Sequence, residues 1–150
     1  MTLTFASLLG LLLALGAPVA GIEQHPSGNQ LHPDVAYALI MVPGGTATSA
    51  EHAVWPDGME IQSPSAMKAV ANCPTSRVCA FSNTATSGSM LSWSTCGVHS
   101  TAALLQVKSI ANARAGGVLQ ARNGTSVIGS ALAGTWTNVT GTVTDVRCIQ

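Results

Sequence analysis

The feature that most constrains this chain is a stretch closed by a cysteine at each end. Residues 73–96 read Cys-Pro-Thr-Ser-Arg-Val-Cys-Ala-Phe-Ser-Asn-Thr-Ala-Thr-Ser-Gly-Ser-Met-Leu-Ser-Trp-Ser-Thr-Cys. Val78–Phe81 and Met90–Trp93 are short apolar runs on either side of a Ser/Asn/Thr/Gly cluster, the pattern of two strands joined by a turn. Gly88 follows Phe81 after six intervening residues. A chain folding back past an aromatic ring wants at that place a residue with no side chain and free access to positive φ. The stretch is expected to be a hairpin stapled by its cysteines.

The chain holds four cysteines, Cys73, Cys79, Cys96 and Cys148. In an exported protein they imply an oxidising compartment and two disulfides. Four cysteines allow three pairings, and the sequence does not choose among them. We favour Cys73 with Cys79, which closes a tight Pro-containing loop, and Cys96 with Cys148, which ties the hairpin to the chain end. Export is read from residues 1–21, a Leu/Ala/Gly run ending in small residues, which has the form of a secretory signal peptide. No Lys or Arg precedes Ala6, and cleavage after Ala20 or after Gly21 are both open. A retained anchor is the alternative. Gly10, Gly16 and Pro18 interrupt a run that barely reaches the ~20 residues needed to span a bilayer. A secreted, extracellular protein without stable membrane association after signal removal is therefore expected.

Residues 22–72 form an N-terminal helix and hairpin segment with linkers at 21–30 and 63–72. Pro33 suits the first turn of a helix, Asp34 complements its dipole there, and Pro43-Gly44-Gly45 stops it. Tyr37, Ile40 and Met41, spaced by three and four, would be its apolar face. His52-Ala53-Val54-Trp55, the turn Pro56-Asp57-Gly58 and Met59-Glu60-Ile61-Gln62 predict a hairpin. Charge changes at the same boundary. Residues 21–72 carry Glu23, Asp34, Glu51, Asp57 and Glu60 against Lys68, a net −4. Residues 73–150 carry Arg77, Lys108, Arg114, Arg122 and Arg147 against Asp145, a net +4. Either the two faces neutralise one another without consequence, or the acidic segment docks on the basic domain and shields its working surface, a contact that salt would weaken.

Residues 117–128 are again strand, turn, strand, with Asn123-Gly124 as the turn signal. Val78 and Val118 lie 40 residues apart, and Val107-Lys108-Ser109-Ile110 matches Val143-Thr144-Asp145-Val146 in apolar pattern at an offset of 36. Two units of roughly 40 residues, each of about four short strands, predict a mainly β fold, a two-sheet Greek-key sandwich over residues 73–150. Trp93, Phe81, Leu91, Ile110, Val118, Val127, Trp136 and Val146 would fill its core.

The aromatic and glycine at Phe81 and Gly88, with the closing Val107-x-Ser109-Ile110, resemble the βγ-crystallin type of Greek-key motif. The Cys73-Pro74 start, Cys79, Phe81 and Cys96-Gly97 resemble more specifically the secreted bacterial crystallin-like metalloproteinase inhibitors, peptidase inhibitor family thirty-six. Pro43-Gly44-Gly45, Trp55 and Gly58 look like the N-terminal segment many such exported proteins carry. The sequence departs from the crystallin pattern at Thr86, where a second aromatic would stand. The resemblance implies inhibition of an extracellular protease, a metalloprotease or one of subtilisin type, by a monomer without cofactors.

A substrate-like inhibitor must hold a loop near its bound conformation so that binding costs little ordering entropy. The Cys73 to Cys79 loop, with Thr75, Ser76 and Arg77, is the candidate protease-contact loop. The turns at 83–87 and 123–126 are alternatives, and the plainer reading is that the loop is only a staple at the sandwich edge. Catalysis lacks the groups it needs. Residues 73–150 hold a single carboxylate side chain, Asp145, and a single histidine, His99, so paired-carboxylate chemistry is excluded. Asp145 is expected to cap or pair with a neighbouring base. A Cys3His zinc site through Cys96 and His99 is conceivable by spacing, but export argues for disulfides, and no metal is assigned. One aspartate is too few for a strong calcium site. Nucleic-acid binding is not expected, because the aromatics are assigned to the core and leave no stacking platform. Asn123-Gly124-Thr125 and Asn138-Val139-Thr140 are glycosylation sequons, meaningful only in a eukaryotic secretory pathway. The alternative to inhibition is a secreted binding or structural module on the same scaffold.

Overall fold

Short apolar runs punctuated by Gly, Ser and Thr become strands throughout residues 30–64 and 73–150, the parts described by the computed structural model. The expected signal at 1–21 and the linker over 65–72 lie outside the described residues. A single helix, α1 (Pro33–Met41), opens the described chain, with Pro33 at its start and the His32 ring accepting a hydrogen bond from the Asp34 amide at 3.2 Å. Its buried face is Val35 and Ala38, not Tyr37, Ile40 and Met41; Ile40 is 77% exposed. Both sets have helical spacing. The one that turns inward includes a small alanine, which lets the helix approach the sheet closely.

Three strands follow, β1 (Thr46–Ser49), β2 (His52–Val54) and β3 (Met59–Gln62). β2 and β3 are the expected hairpin, paired Ala53 with Ile61. β1 was not foreseen, because its residues Thr-Ala-Thr-Ser are all exposed and carry no apolar alternation. The Trp55 indole donates to the Val42 carbonyl at 2.9 Å. Its ring covers Gly45, where an added Cβ would lie 2.4 Å from the ring. The PGG stop and the tryptophan are thus one packing unit.

The first repeated unit is β4 (Val78–Phe81), β5 (Met90–Trp93), β6 (Val98–Ser100) and β7 (Ser109–Asn112). The second is β8 (Val118–Asn123), β9 (Ser126–Leu132), β10 (Thr135–Asn138) and β11 (Asp145–Ile149). Two antiparallel sheets result, with strand orders β1-β2-β3-β5-β4-β7-β10 and β6-β11-β8-β9. The third strand of each unit leaves for the other unit's sheet: β6 pairs with β11, and β10 pairs with β7. Each unit therefore completes its neighbour. The N-terminal hairpin joins the larger sheet directly, through Met59–Gln62 against Met90–Trp93.

Between the sheets lies a core that includes Ile61, Val78, Ala80, Leu91, Trp93, Ile110, Leu119, Ala121 and Val146. The other face of the larger sheet carries a smaller cluster of Cys79, Phe81, Met90 and Ala111. Four of the expected core residues do not belong to the core between the sheets. Phe81 is buried, but in the outer cluster; Val127 and Trp136 are 49% and 48% exposed, and Val118 is only half-buried. The cause is strand alternation. Ala80 lies opposite Ile110 and Ala121 opposite Val146, so the inward-facing positions of the opening strands are 41 residues apart, although the strands begin 40 apart. A shift of one residue exchanges the two faces of a strand. Leu119 takes the place expected for Val118.

Candidate functional site

The disulfides join Cys73 to Cys79 and Cys96 to Cys148, with Cα separations of 5.6 and 5.0 Å. No cysteine is free, so no thiolate remains for a Cys3His zinc set. Among the described residues no cluster of His, Cys, Asp or Glu could hold a metal ion. His99 lies in β6 and not in a loop, its ring stacked on Trp93 at 5.1 Å. Asp145 pairs with Arg122 at 3.7 Å and accepts from the Thr144 hydroxyl at 3.0 Å. The one histidine and the one carboxylate side chain of residues 73–150 are thus both committed to sheet structure.

Extended pairing aligns one row of residues across five strands on the outer face of the larger sheet: Glu60, Ser92, Cys79, Ala111 and Trp136. The Cys73 to Cys79 loop rises from the middle of this row. It begins with a turn in which the Arg77 amide donates to the Pro74 carbonyl at 3.1 Å. Next to it the Ser76 amide donates to the Ala113 carbonyl at 2.9 Å, and the Ala113 amide to the Arg77 carbonyl at 3.0 Å. The Arg114 guanidinium donates to the carbonyls of Ser76 and Ser94, each at 3.2 Å. Ser76 is thereby held at φ 68°, a left-handed conformation that costs a non-glycine residue roughly 1–2 kcal/mol. The loop is fastened by a covalent bridge and by main-chain bonds on either side of its tip.

Pro74, Thr75 and Ser76 are exposed at that tip. Arg77 is not. Its side chain is 15% exposed and lies back over Ser92. It pairs with Glu60 at 3.1 Å, donates to the Gly58 carbonyl at 2.7 Å, and donates to the Ser92 hydroxyl and carbonyl at 3.0 and 3.2 Å. The Glu60 carboxylate also faces the His52 ring at 3.4 Å. Sequence reasoning grouped Arg77 with the exposed residues and did not single out Glu60. The alternation Met59-Glu60-Ile61-Gln62 placed Glu60 on the polar face of a strand, but its partner immediately precedes a strand two places away in the sheet.

Two clefts flank the loop. One, of about 360 Å³, runs between Ser76, Arg114 and Gly117. The other, of about 170 Å³, lies between Cys73, Thr86 and Trp136. The half-exposed Trp136 removes the premise that every aromatic of residues 73–150 is internal. The turn at 83–87 folds over the same face. Thr86, in the position of a missing aromatic, is buried, and its amide donates to the Ser109 hydroxyl at 3.0 Å while that hydroxyl donates to the Asn83 carbonyl at 2.7 Å. Gly88 has φ +78°, and a Cβ there would strike the Ser82 hydroxyl at 2.2 Å. In the second unit the hairpin turn is Gly124-Thr125, one residue later than the Asn-Gly signal, between Asn123 and Ser126.

The family described as Peptidase inhibitor family I36 matches residues 66–127. The match spans the disulfide-bridged loop, the whole first unit and the first strand and turn of the second. No curated protein and no solved structure matches the chain.

Proposed function

We propose that this chain is a non-enzymatic inhibitor of peptidase inhibitor family I36, whose model matches residues 66–127, and that it grips its protease through the tip of the Cys73 to Cys79 loop. The observation that carries this reading is the loop's restraint. Its exposed residues Pro74, Thr75 and Ser76 are held by a disulfide, by main-chain bonds from Ser76 and Arg77 to Ala113, and by the Arg114 guanidinium on the Ser76 carbonyl. A protease that closes on such a loop orders little that was free, and the saving appears as affinity.

The exchange of third strands between the units supports a crystallin-like Greek-key scaffold. The partner is an extracellular metalloprotease or subtilisin-type protease, and the inhibitor is a secreted monomer. With Arg77 turned away, the tip offers proline and small hydroxyl side chains, which argues against a protease that requires a basic residue in its pocket.

The test is titration of a thermolysin-type and a subtilisin-type protease with the full chain and with Thr75→Trp. One protease should be inhibited stoichiometrically, and Thr75→Trp should raise the inhibition constant at least about tenfold, equivalent to about 1.4 kcal/mol. Full activity of both proteases in excess inhibitor, or an inhibition constant untouched by Thr75→Trp, would overturn the reading.

A further inference from the structure

We propose that Glu60, on the hairpin outside the family match, is a positioning residue for the disulfide-bridged loop, acting through Arg77. The inference rests on the reading that this loop is the protease contact, and it assigns to residues 30–64 a standing part in that contact.

Arg77 is the residue through which the loop re-enters the sheet at β4. Its guanidinium has four hydrogen-bond or ion-pair partners within 3.2 Å, and two of them, the Glu60 carboxylate and the Gly58 carbonyl, belong to the N-terminal hairpin. Planar guanidinium donors fix direction as well as distance. Holding the head of Arg77 over Ser92 fixes the angle at which the backbone of residues 74–77 leaves the sheet. Glu60 is itself steadied from its other side by His52, whose Nδ1 is 2.7 Å from the Thr48 hydroxyl. A line of contacts thus runs from Thr48 through His52 and Glu60 to Arg77 and the loop.

The opposed charges of residues 21–72 and 73–150 would also suit a shield that lifts away. The packing favours a permanent clamp. β3 pairs with β5 along its four residues. Ala53, Trp55, Met59 and Ile61 belong to the same buried cluster as Val78, Leu91 and Trp93. On the helix, Asp34 accepts a hydrogen bond from the buried Ser89 hydroxyl. Displacing the hairpin would open the common core, which a shield cannot afford. The Glu60 to Arg77 pair holds the loop ready.

Glu60→Gln in the full chain removes the charge and keeps the shape, at a side chain already 36% exposed. In the free inhibitor, amide hydrogen exchange at Ser76 and Arg77 should quicken about tenfold while that of Leu91 and Ile110 stays unchanged. The inhibition constant should rise about fivefold or more. In an Arg77→Met background the same Glu60→Gln change should have no further effect on either readout. Unaltered exchange at Ser76 and Arg77 overturns the proposal, as does faster exchange with an unchanged inhibition constant. A lower inhibition constant in Glu60→Gln would make the hairpin a shield and equally overturn it. Failure of the loop reading has a separate signature: Thr75→Trp then leaves inhibition untouched in the otherwise native chain.

Discussion

The two repeated units are built from the same succession of four strands, yet they are buried differently. In the first, every residue of β4, β5 and β7 is buried. In the second, β8 and β11 alternate between buried and open positions, and β9 is mostly open. The cause is what lies outside the shared core. The first unit's outer face is roofed by the Cys73 to Cys79 disulfide, the folded-over turn at 83–87 and Arg77, and its sheet is lengthened by the N-terminal hairpin. Among the described residues, nothing of this kind covers the second unit. A repeated pattern sets the inner face of each unit alike, and additions to one copy decide its outer face.

The largest test of that difference is Phe81→Ala. Phe81 is fully buried in the outer cluster that only the first unit has. Its removal should cost about 3–5 kcal/mol, read as a shift in the denaturant midpoint at constant slope. A cost near that of a surface change would mean the roof contributes nothing.

The bridges come next. Replacing Cys96 and Cys148 by serine opens a loop of sequence separation 52 and should cost about 4 kcal/mol, against about 2 kcal/mol for Cys73 and Cys79 at separation 6, by loop-closure entropy. Equal costs would sever the link between loop length and stabilisation here. The smaller bridge should instead show its effect in the protease titration.

A one-residue comparison sharpens the second unit. Leu119→Ala should cost about 3 kcal/mol and Val118→Ala under about 1 kcal/mol, since only Leu119 points between the sheets. The reverse order would show that the face assignment of β8 is wrong. The smallest effect belongs to Trp136→Ala, expected within about 0.5 kcal/mol of the parent because the ring is half exposed at the sheet edge. A loss of several kcal/mol would place that ring in the core after all.

Much of the local structure was legible in the chain because it is local. The strands Val78–Phe81, Met90–Trp93 and Met59–Gln62, the helix Pro33–Met41 and the glycine after Phe81 are set by short-range alternation, a proline at a helix start and a required positive φ. The family resemblance, carried by closely spaced residues from Cys73 to Gly97, could be read for the same reason. β1 escaped notice because a strand of exposed Thr, Ala and Ser has no pattern apart from its partner.

Sequence alone determined the repeated pattern and an inventory of four cysteines, one carboxylate side chain and one histidine over residues 73–150. Tertiary structure alone decided that the third strands change sheets, that Leu119 and not Val118 points inward, that Trp136 is left at the surface, and that Arg77 is drawn back to Glu60. In each case two adjacent residues, or two distant ones, are equally suited to a role by their chemistry. Only the pairing of strands far apart in the chain breaks the tie, since register fixes which face each side chain meets.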